Sequence, residues 1–216
     1  HADDLAKLIE HLAYDEVDLF ASSGGAVNAL ALVAQRPERL RTVVAHEPPL
    51  VNCLPDAAVA ERITRDMHST YLQSGIGPGM AKFIALVGHV GELTDAYLQQ
   101  PAPDPAMFGL PSEDDGRRDD ALLGQNLLSC TLYRPDLEAL GRAVASGRPR
   151  LVIAAGSGSR GQLAHRAAVG LAQRLGVDAE TFPSDHGGFL GGEYGQRGDP
   201  DAFAAKLREV LDQEPL

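Results

Sequence analysis

The chain of 216 residues contains no tryptophan and only two cysteines, Cys53 and Cys130. Two cysteines without a C-x-x-C spacing exclude both a disulfide framework and a zinc knuckle. Such sparing use of cysteine is typical of proteins in a reducing compartment, so we expect a cytoplasmic location. The N-terminus lacks the pattern of a secretory signal peptide.

Positive charge is also scarce. Nineteen Lys and Arg face thirty Asp and Glu, which gives a formal net charge of −11. A surface of that sign repels nucleic acid. No apolar run approaches the length of a membrane span. These absences leave a small molecule as the expected partner, with no nucleic acid and no membrane, and we predict neither a cofactor nor a metal.

A short apolar run at 17–21 reads as a strand that passes through Ser22-Ser23-Gly24-Gly25 straight into a helical composition. Strand, tight turn and helix with a serine in the turn is the setting of a nucleophile elbow. The turn is sharp, so the positions two residues on either side of the nucleophile must be small, and here they are Ala21 and Gly25. This predicts Ser23 as the nucleophile. A serine N-cap or a phosphate-binding turn are the alternatives.

His186 follows the last predicted strand and is flanked by glycines in Asp185-His186-Gly187-Gly188. A serine hydroxyl needs a base to remove its proton, and the ordinary pKa of histidine suits that task near neutrality. A loop histidine without a role is the alternative. The order of an early serine and a late histidine favours the catalytic interpretation.

Strand and helix patterns alternate along the chain, which predicts an α/β fold with a mostly parallel sheet covered on both faces. Helices are predicted at about 1–12, 26–34, 57–72, 81–90, 119–131, 161–175 and 200–211, and strands at 17–21, 40–46, 150–155 and 178–182. The region 51–131 has no strand-like run. We therefore divide the chain into a core segment at 1–50, a helical cap insertion at 51–131 and a second core segment at 132–216.

These motifs together resemble the α/β-hydrolase family: the serine turn matches its elbow, the Asp185–Gly188 loop its histidine loop, and 151–156 its penultimate strand. The resemblance covers nearly the whole chain. It implies an α/β-hydrolase fold with a cap and a backbone oxyanion donor at Gly24. The early strands of that family and its His-Gly loop, the usual source of a second donor, have no counterpart in the sequence.

The family's usual acid follows the penultimate strand, but here that turn reads Gly156-Ser157-Gly158-Ser159 and holds no carboxylate. A minority of the family places the acid after the strand that follows the elbow helix, and that position is Glu47. A strand-end glutamate facing solvent is the alternative. Asp136, which reads as a helix N-terminus, and Asp185, which adjoins the histidine, are weaker candidates.

The resemblance predicts a serine hydrolase that cleaves an ester or related acyl bond of a small apolar substrate through Ser23, His186 and Glu47. The alternatives are a cofactor-free haloperoxidase or lyase relative and a catalytically silent binding protein. Apolar cap residues could line an acyl pocket or simply form the core: Met67, Met80, Phe83, Leu86, Met107 and Phe108. The missing strands predict a bare edge at the first strand, covered by a preceding segment or a second copy of the chain.

Overall fold

Four parallel strands form a sheet at the centre of the computed structural model, which describes residues 1–213 apart from the side chain of Tyr194. The strands are β1 (Val17–Ser22), β2 (Leu40–His46), β3 (Arg150–Gly156) and β4 (Glu180–Phe182). They pair in that order, and every pairing is parallel. The parallel sheet predicted from the alternating pattern is thus confirmed.

The α-helices are α1 (Ala2–Leu12), α2 (Gly24–Gln35), α3 (Ala57–Ser74), α4 (Ile76–Gly88), α5 (Asp95–Leu98), α6 (Leu127–Thr131), α7 (Leu137–Ser146), α8 (Leu163–Arg174) and α9 (Pro200–Leu211). A π-helix (Ala121–Asn126) runs directly into α6. None of the helices within residues 1–213 has the length and apolarity needed to cross a membrane.

Both faces of the sheet are covered because successive side chains of a strand point to opposite sides. Val43 and Ala45 belong to a core cluster shared with α1, α2, α7 and α8. Val44, which lies between them, packs in a second cluster with Phe182 and Phe203 of α9. Such double burial explains why β2 reads as a continuous apolar run.

The region between β2 and α7 is helical and contains a cluster of its own. Ile63 and Met67 of α3 pack there with Leu123 of the π-helix. Leu163 and Ala167 of α8 join the same cluster, so the insertion is fastened to the core through α8. The structure does not test the domain boundaries at 50 and 131, which stay a prediction.

The start of α4 differs from the sequence prediction. A helix is predicted at about 81–90, but α4 already begins at Ile76, so Gly77, Pro78 and Gly79 lie in its first turn. Pro78 is tolerated there because the first amides of a helix have no intrahelical acceptor. Gly79 is required by packing, since a Cβ atom at that position would lie 2.9 Å from the Cβ of Tyr71.

Within residues 1–213, β1 is bonded to β2 alone and forms one edge of the sheet. An open groove of about 440 Å³ runs along it, lined by Leu5 and Leu8 of α1 and by Leu19 and Phe20 of β1. The predicted pairing of the first two strands is present. That a preceding segment or a second copy covers this edge stays a prediction.

Candidate active site

Ser23 stands between the last residue of β1 and the first residue of α2. Its backbone has φ 56° and ψ −128°, a conformation that L-residues rarely adopt. The Ser23 amide donates to the carbonyl of His46 at 2.9 Å, which fixes the turn to the end of β2. The turn therefore has the strand–turn–helix geometry and the backbone strain of a nucleophile elbow.

Small residues surround the turn. A Cβ atom added to Gly25 would lie 4.0 Å from the Cβ of Ala21, an ordinary contact, so the two positions face each other across the turn. A Cβ atom on Gly24 would lie 3.3 Å from Sγ of Cys130, in α6. Because Gly24 is the first residue of α2, its amide is among the helix donors that have no intrahelical acceptor.

Glu47 follows β2 directly and is completely buried. Its Oε1 accepts hydrogen bonds from the amide of Gly156, at 2.9 Å, and from the hydroxyl of Ser159. Its Oε2 lies 2.6 Å from Nδ1 of His186. A buried carboxylate is tolerable only when its oxygens are satisfied in this way. The solvent-facing alternative for Glu47 is wrong.

Burial by itself raises the pKa of Glu47, but the hydrogen bonds from His186, Ser159 and the Gly156 amide outweigh it, and the net pKa is lower than usual. Glu47 is therefore ionised at neutral pH and accepts from Nδ1–H of His186. In a neutral imidazole this arrangement leaves Nε2, on the other side of the ring, with a free lone pair.

A left-handed residue and a local hydrogen bond define the loop that carries His186. Ser184, two residues before the histidine, has a φ of 66°, and Asp185 uses its Oδ1 to accept from the amide of Gly187 at 2.9 Å. The imidazole side chain is 30% exposed, whereas Glu47 beneath it is fully buried. His186 thus has one side bound to the acid and another open to a substrate.

The turn after β3, Gly156–Ser159, supports both the acid and the histidine loop. Cβ atoms on Gly156 and Gly158 would lie 2.9 Å and 3.1 Å from the carbonyl oxygen of Ser184. The amides of Ser157 and Gly158 donate to the carbonyls of Phe182 and Ser184. With Gly161 the turn also has G-x-G-x-x-G spacing, but its first three amides already have acceptors and none can bind a phosphate.

Ser159 is a site residue that sequence reasoning missed. Its side chain is completely buried and donates to Glu47 from the position where the family's usual acid was sought. The missing carboxylate was itself the available signal. Since an acid contributed by β2 still needs a donor from the turn after β3, a serine in that turn was the residue to examine.

His46, the residue before Glu47, was also missed. It is fully buried, its Nδ1 lies 3.0 Å from Oγ of Ser22, and its ring stacks against His186 with centroids 6.1 Å apart. Phenylalanine rings enclose the remaining sides: Phe20, Phe182, Phe189 and Phe203. Burial lowers the pKa of His46 to about 4, so the ring is neutral.

The other candidates lie elsewhere or are otherwise engaged. Asp136 is the N-cap of α7 and accepts from the amide of Ala139 at 2.9 Å, as its position before a helix suggested. Asp185 is occupied by its own loop. Among residues 1–213, no three His, Cys, Asp or Glu side chains are grouped to hold a metal ion.

The apolar cap residues divide into two groups. Met67 and Leu86 are core residues, buried in the cluster that α3 forms with the π-helix, and Met80 and Phe83 pack against it. Met107, in contrast, is 79% exposed. For Met67 and Leu86, the core interpretation is correct.

The carboxyl ends of parallel strands meet at one edge of a sheet, which is where open α/β sheets bind ligands. Ser23 follows β1, Glu47 follows β2, the Gly156–Ser159 turn follows β3 and the His186 loop follows β4. Glu47 and His186 are in direct contact, and Ser23 is hydrogen-bonded to the residue next to Glu47. All the predicted site residues therefore lie at the same edge.

Several known proteins are similar to this chain in sequence or in structure. No family model matches the chain. The uncharacterised hydrolase YraK of Bacillus subtilis (strain 168) is 26% identical over 218 residues, which cover 99% of this chain and 70% of YraK. Among solved structures, BpoC of Mycobacterium tuberculosis H37Rv, named after a non-heme bromoperoxidase activity, aligns with a TM-score of 0.59 at 16% identity, over 97% of this chain and 72% of BpoC.

MGS-M2, an α/β-hydrolase enzyme from a Medee basin deep-sea metagenome library, aligns with a TM-score of 0.57 at 16% identity, over 100% of this chain and 72% of MGS-M2. The likeness extends over the sheet, the helices and the insertion alike, because nearly the whole chain is aligned. With its strand–serine–helix turn and four-stranded parallel sheet, the chain has the α/β-hydrolase fold.

Proposed function

We propose that the protein is a serine hydrolase that cleaves an ester or related acyl bond of a small, mainly apolar substrate. The hydrolase name of YraK supports a hydrolytic role in general. The observation that carries the finer proposal is the 2.6 Å contact between the buried Glu47 carboxylate and Nδ1 of His186, at the edge where Ser23 occupies its strained turn.

In this proposal each residue has a separate task. His186 takes the Ser23 hydroxyl proton on Nε2 while Oγ attacks the carbonyl carbon of the substrate, and it returns that proton to the leaving group. Glu47 holds the imidazole in the required tautomer and stabilises the imidazolium. The resulting acyl-enzyme is hydrolysed by water that His186 activates in the same way.

The tetrahedral intermediate carries a negative charge on the former carbonyl oxygen. The Gly24 amide, at the N-terminus of α2, is our candidate donor to that oxygen, and the helix dipole there favours an anion.

A covalent probe tests the nucleophile. A fluorophosphonate should label Ser23, and Ser23→Ala should remove both labelling and the hydrolysis of p-nitrophenyl butyrate while the thermal melt stays within a few degrees of the parent. His186→Ala should be about as inactive, because the two residues act as one unit. Ser129→Ala, which alters an exposed serine of α6, serves as the matched control and should keep full activity.

Two results would contradict the proposal in different ways. Unchanged hydrolysis by Ser23→Ala would remove Ser23 as the nucleophile. A folded parent protein that takes up no label and turns over no ester would instead favour the binding-protein alternative.

A further inference from the structure

Two successive residues of the nucleophile turn are attached to one residue of the neighbouring strand, His46. The Ser23 amide donates to the His46 carbonyl at 2.9 Å. The Oγ of Ser22 lies 3.0 Å from Nδ1 of the His46 imidazole. His46 therefore holds the link between Ser22 and Ser23 through its backbone and its side chain together.

The conformation of Ser23 needs such support. Its φ of 56° and ψ of −128° are strained for a residue that carries a side chain. A strained backbone persists only where the surrounding contacts over-determine it. The carbonyl of residue 46 supplies one of these contacts whatever side chain stands there, whereas the contact to Ser22 depends on the imidazole.

The same imidazole also contacts the proposed base. The His46 ring stacks against the ring of His186, with the two centroids 6.1 Å apart and the planes 28° from parallel. Glu47, the next residue along the chain, lies 2.6 Å from Nδ1 of His186. The carboxylate fixes one edge of the base and the stacked ring limits its tilt, so residues 46 and 47 together define its orientation.

Packing alone does not explain a histidine at this position. The ring is completely buried, and Phe182 and Phe203 lie against it. Its Nε2 has no hydrogen-bond partner within residues 1–213. An unpaired buried polar atom destabilises the folded protein, and an apolar side chain would avoid that penalty. The attachment of the imidazole to the nucleophile turn gives a reason for keeping it.

We propose that His46 is a positioning residue: its side chain holds the nucleophile turn through Ser22 and the His186 ring by stacking, and so keeps the nucleophile aligned with its base. This rests on the proposed function, in which Nε2 of His186 takes the nucleophile's proton. His46 does not touch the substrate, since it is fully buried. Its effect is therefore on the rate of the chemical steps, where a displacement of about 1 Å can cost about a hundredfold.

The hydrogen bond is tested first from the Ser22 side. Ser22→Ala removes the hydroxyl that contacts Nδ1 and leaves the imidazole in place. With p-nitrophenyl butyrate, kcat should fall by about tenfold and KM should stay within about twofold, because the contact serves alignment rather than substrate binding. Ser22→Thr, which restores a hydroxyl, should recover most of the lost kcat. The stoichiometry of fluorophosphonate labelling counts the competent sites, so that every kcat refers to folded protein.

The imidazole is tested by a double-mutant cycle. His46→Leu removes both contacts of the ring and should lower kcat by about ten- to a hundredfold, again with KM unchanged. Adding Ser22→Ala to this variant should change kcat by less than about twofold, because a hydrogen bond can be lost only once. His11→Leu makes the same substitution at an exposed histidine of α1 and should leave kcat at the parent value.

The opposite outcomes are distinguishable. If His46→Leu lowers the melting temperature and the number of labelled sites while kcat per labelled site equals that of the parent, the role of His46 is purely structural. This inference is then wrong and the proposed function stands. Losses that multiply in the double variant would show that Ser22 and His46 act independently, which also overturns it. A parent protein that neither hydrolyses the ester nor takes up the label contradicts the proposed function itself and removes the basis of this inference.

Discussion

The carboxyl edge of the sheet, where Ser23, Glu47 and His186 lie, and the segment 114–119 of the helical insertion hold polar groups in opposite ways. At the edge, Glu47, Ser159 and His46 are completely buried, and the carboxylate accepts directional bonds from three residues, Gly156, Ser159 and His186. In the segment 114–119, the Arg117–Asp119 ion pair is exposed and joins residues only two apart. The edge is thus fixed by interactions that water cannot replace, whereas the cap segment rests on bonds that water replaces easily.

The largest expected effect comes from removing the negative charge of Glu47. Glu47→Gln preserves the shape but loses the negative charge, and the amide can present the wrong hydrogen-bonding group to His186. If Glu47 orients the histidine, turnover of an activated ester should fall by about two to four orders of magnitude. Steady-state kinetics with the purified variant would measure this.

Glu38→Gln is the matched control, because Glu38 is exposed and lies before β2 rather than after it. Its turnover should equal that of the parent. A loss below about threefold in Glu47→Gln would mean that the carboxylate is not part of the catalytic unit.

A second test uses pH to show that His46 belongs to the buried edge. Its pKa is lowered from 6.5 to about 4, chiefly by burial. Below pH 6.5 the unfolded chain therefore binds a proton at this histidine that the folded protein does not bind until about pH 4. The free energy of unfolding falls as the pH is lowered between these two values. The total decrease is about 3 kcal/mol, of which about 2 kcal/mol is reached by pH 5.

Urea unfolding at pH 7, 6 and 5 would measure this slope. His46→Leu, which removes the titrating group, should flatten it by about that amount, whereas His11→Gln, a change at an exposed histidine of α1, should leave it unaltered. Equal slopes for the parent and His46→Leu would show that His46 protonates freely in the folded state.

The third test compares one bond of each region. Ser159→Ala removes a buried donor to a carboxylate and should lower the free energy of unfolding by about 1.5–3 kcal/mol. It should also raise the pKa of Glu47, so that activity is lost at a higher pH on the acid side. Arg117→Ala, in the cap, should leave stability unchanged. Similar decreases in the free energy of unfolding for the two variants would show that the two regions do not differ in this respect.

Much of the fold could be predicted because strands buried on both faces and helices with one apolar face leave strong patterns. The strand at 40–46 and the helix at 200–211 were predicted with the bounds that the structure has. The predicted start of α4 was wrong because glycine and proline indicate breaks on average, while here Gly79 is required by its close approach to the Cα and Cβ of Tyr71. That contact joins residues of two helices and leaves no local signal.

The same distinction between local patterns and long-range contacts decides which site residues could be predicted. Ser23 and His186 could be proposed because each lies in a short motif, and Glu47 because its strand end is recognisable. Ser159 contacts Glu47 across 112 positions of the sequence, and the only signal for it was the absence of a carboxylate from its turn. His46 had no such signal, since its contact with Ser22 spans 24 positions.

The backbone at the site has a consequence for attempts to engineer this protein. Within residues 1–213, four non-glycine residues have a positive φ, and three of them are Ser23, Glu47 and Ser184 of the histidine loop. Glycine relieves such strain, so a laboratory selection for heat resistance alone would favour glycine at Ser23 and Ser184. At Glu47 the same change would also delete a buried carboxylate that accepts three hydrogen bonds. The selected molecule would be more stable but would lack the proposed nucleophile. Relief of backbone strain and retention of activity thus favour different residues at the same positions. A screen for stable variants therefore has to select for turnover at every round.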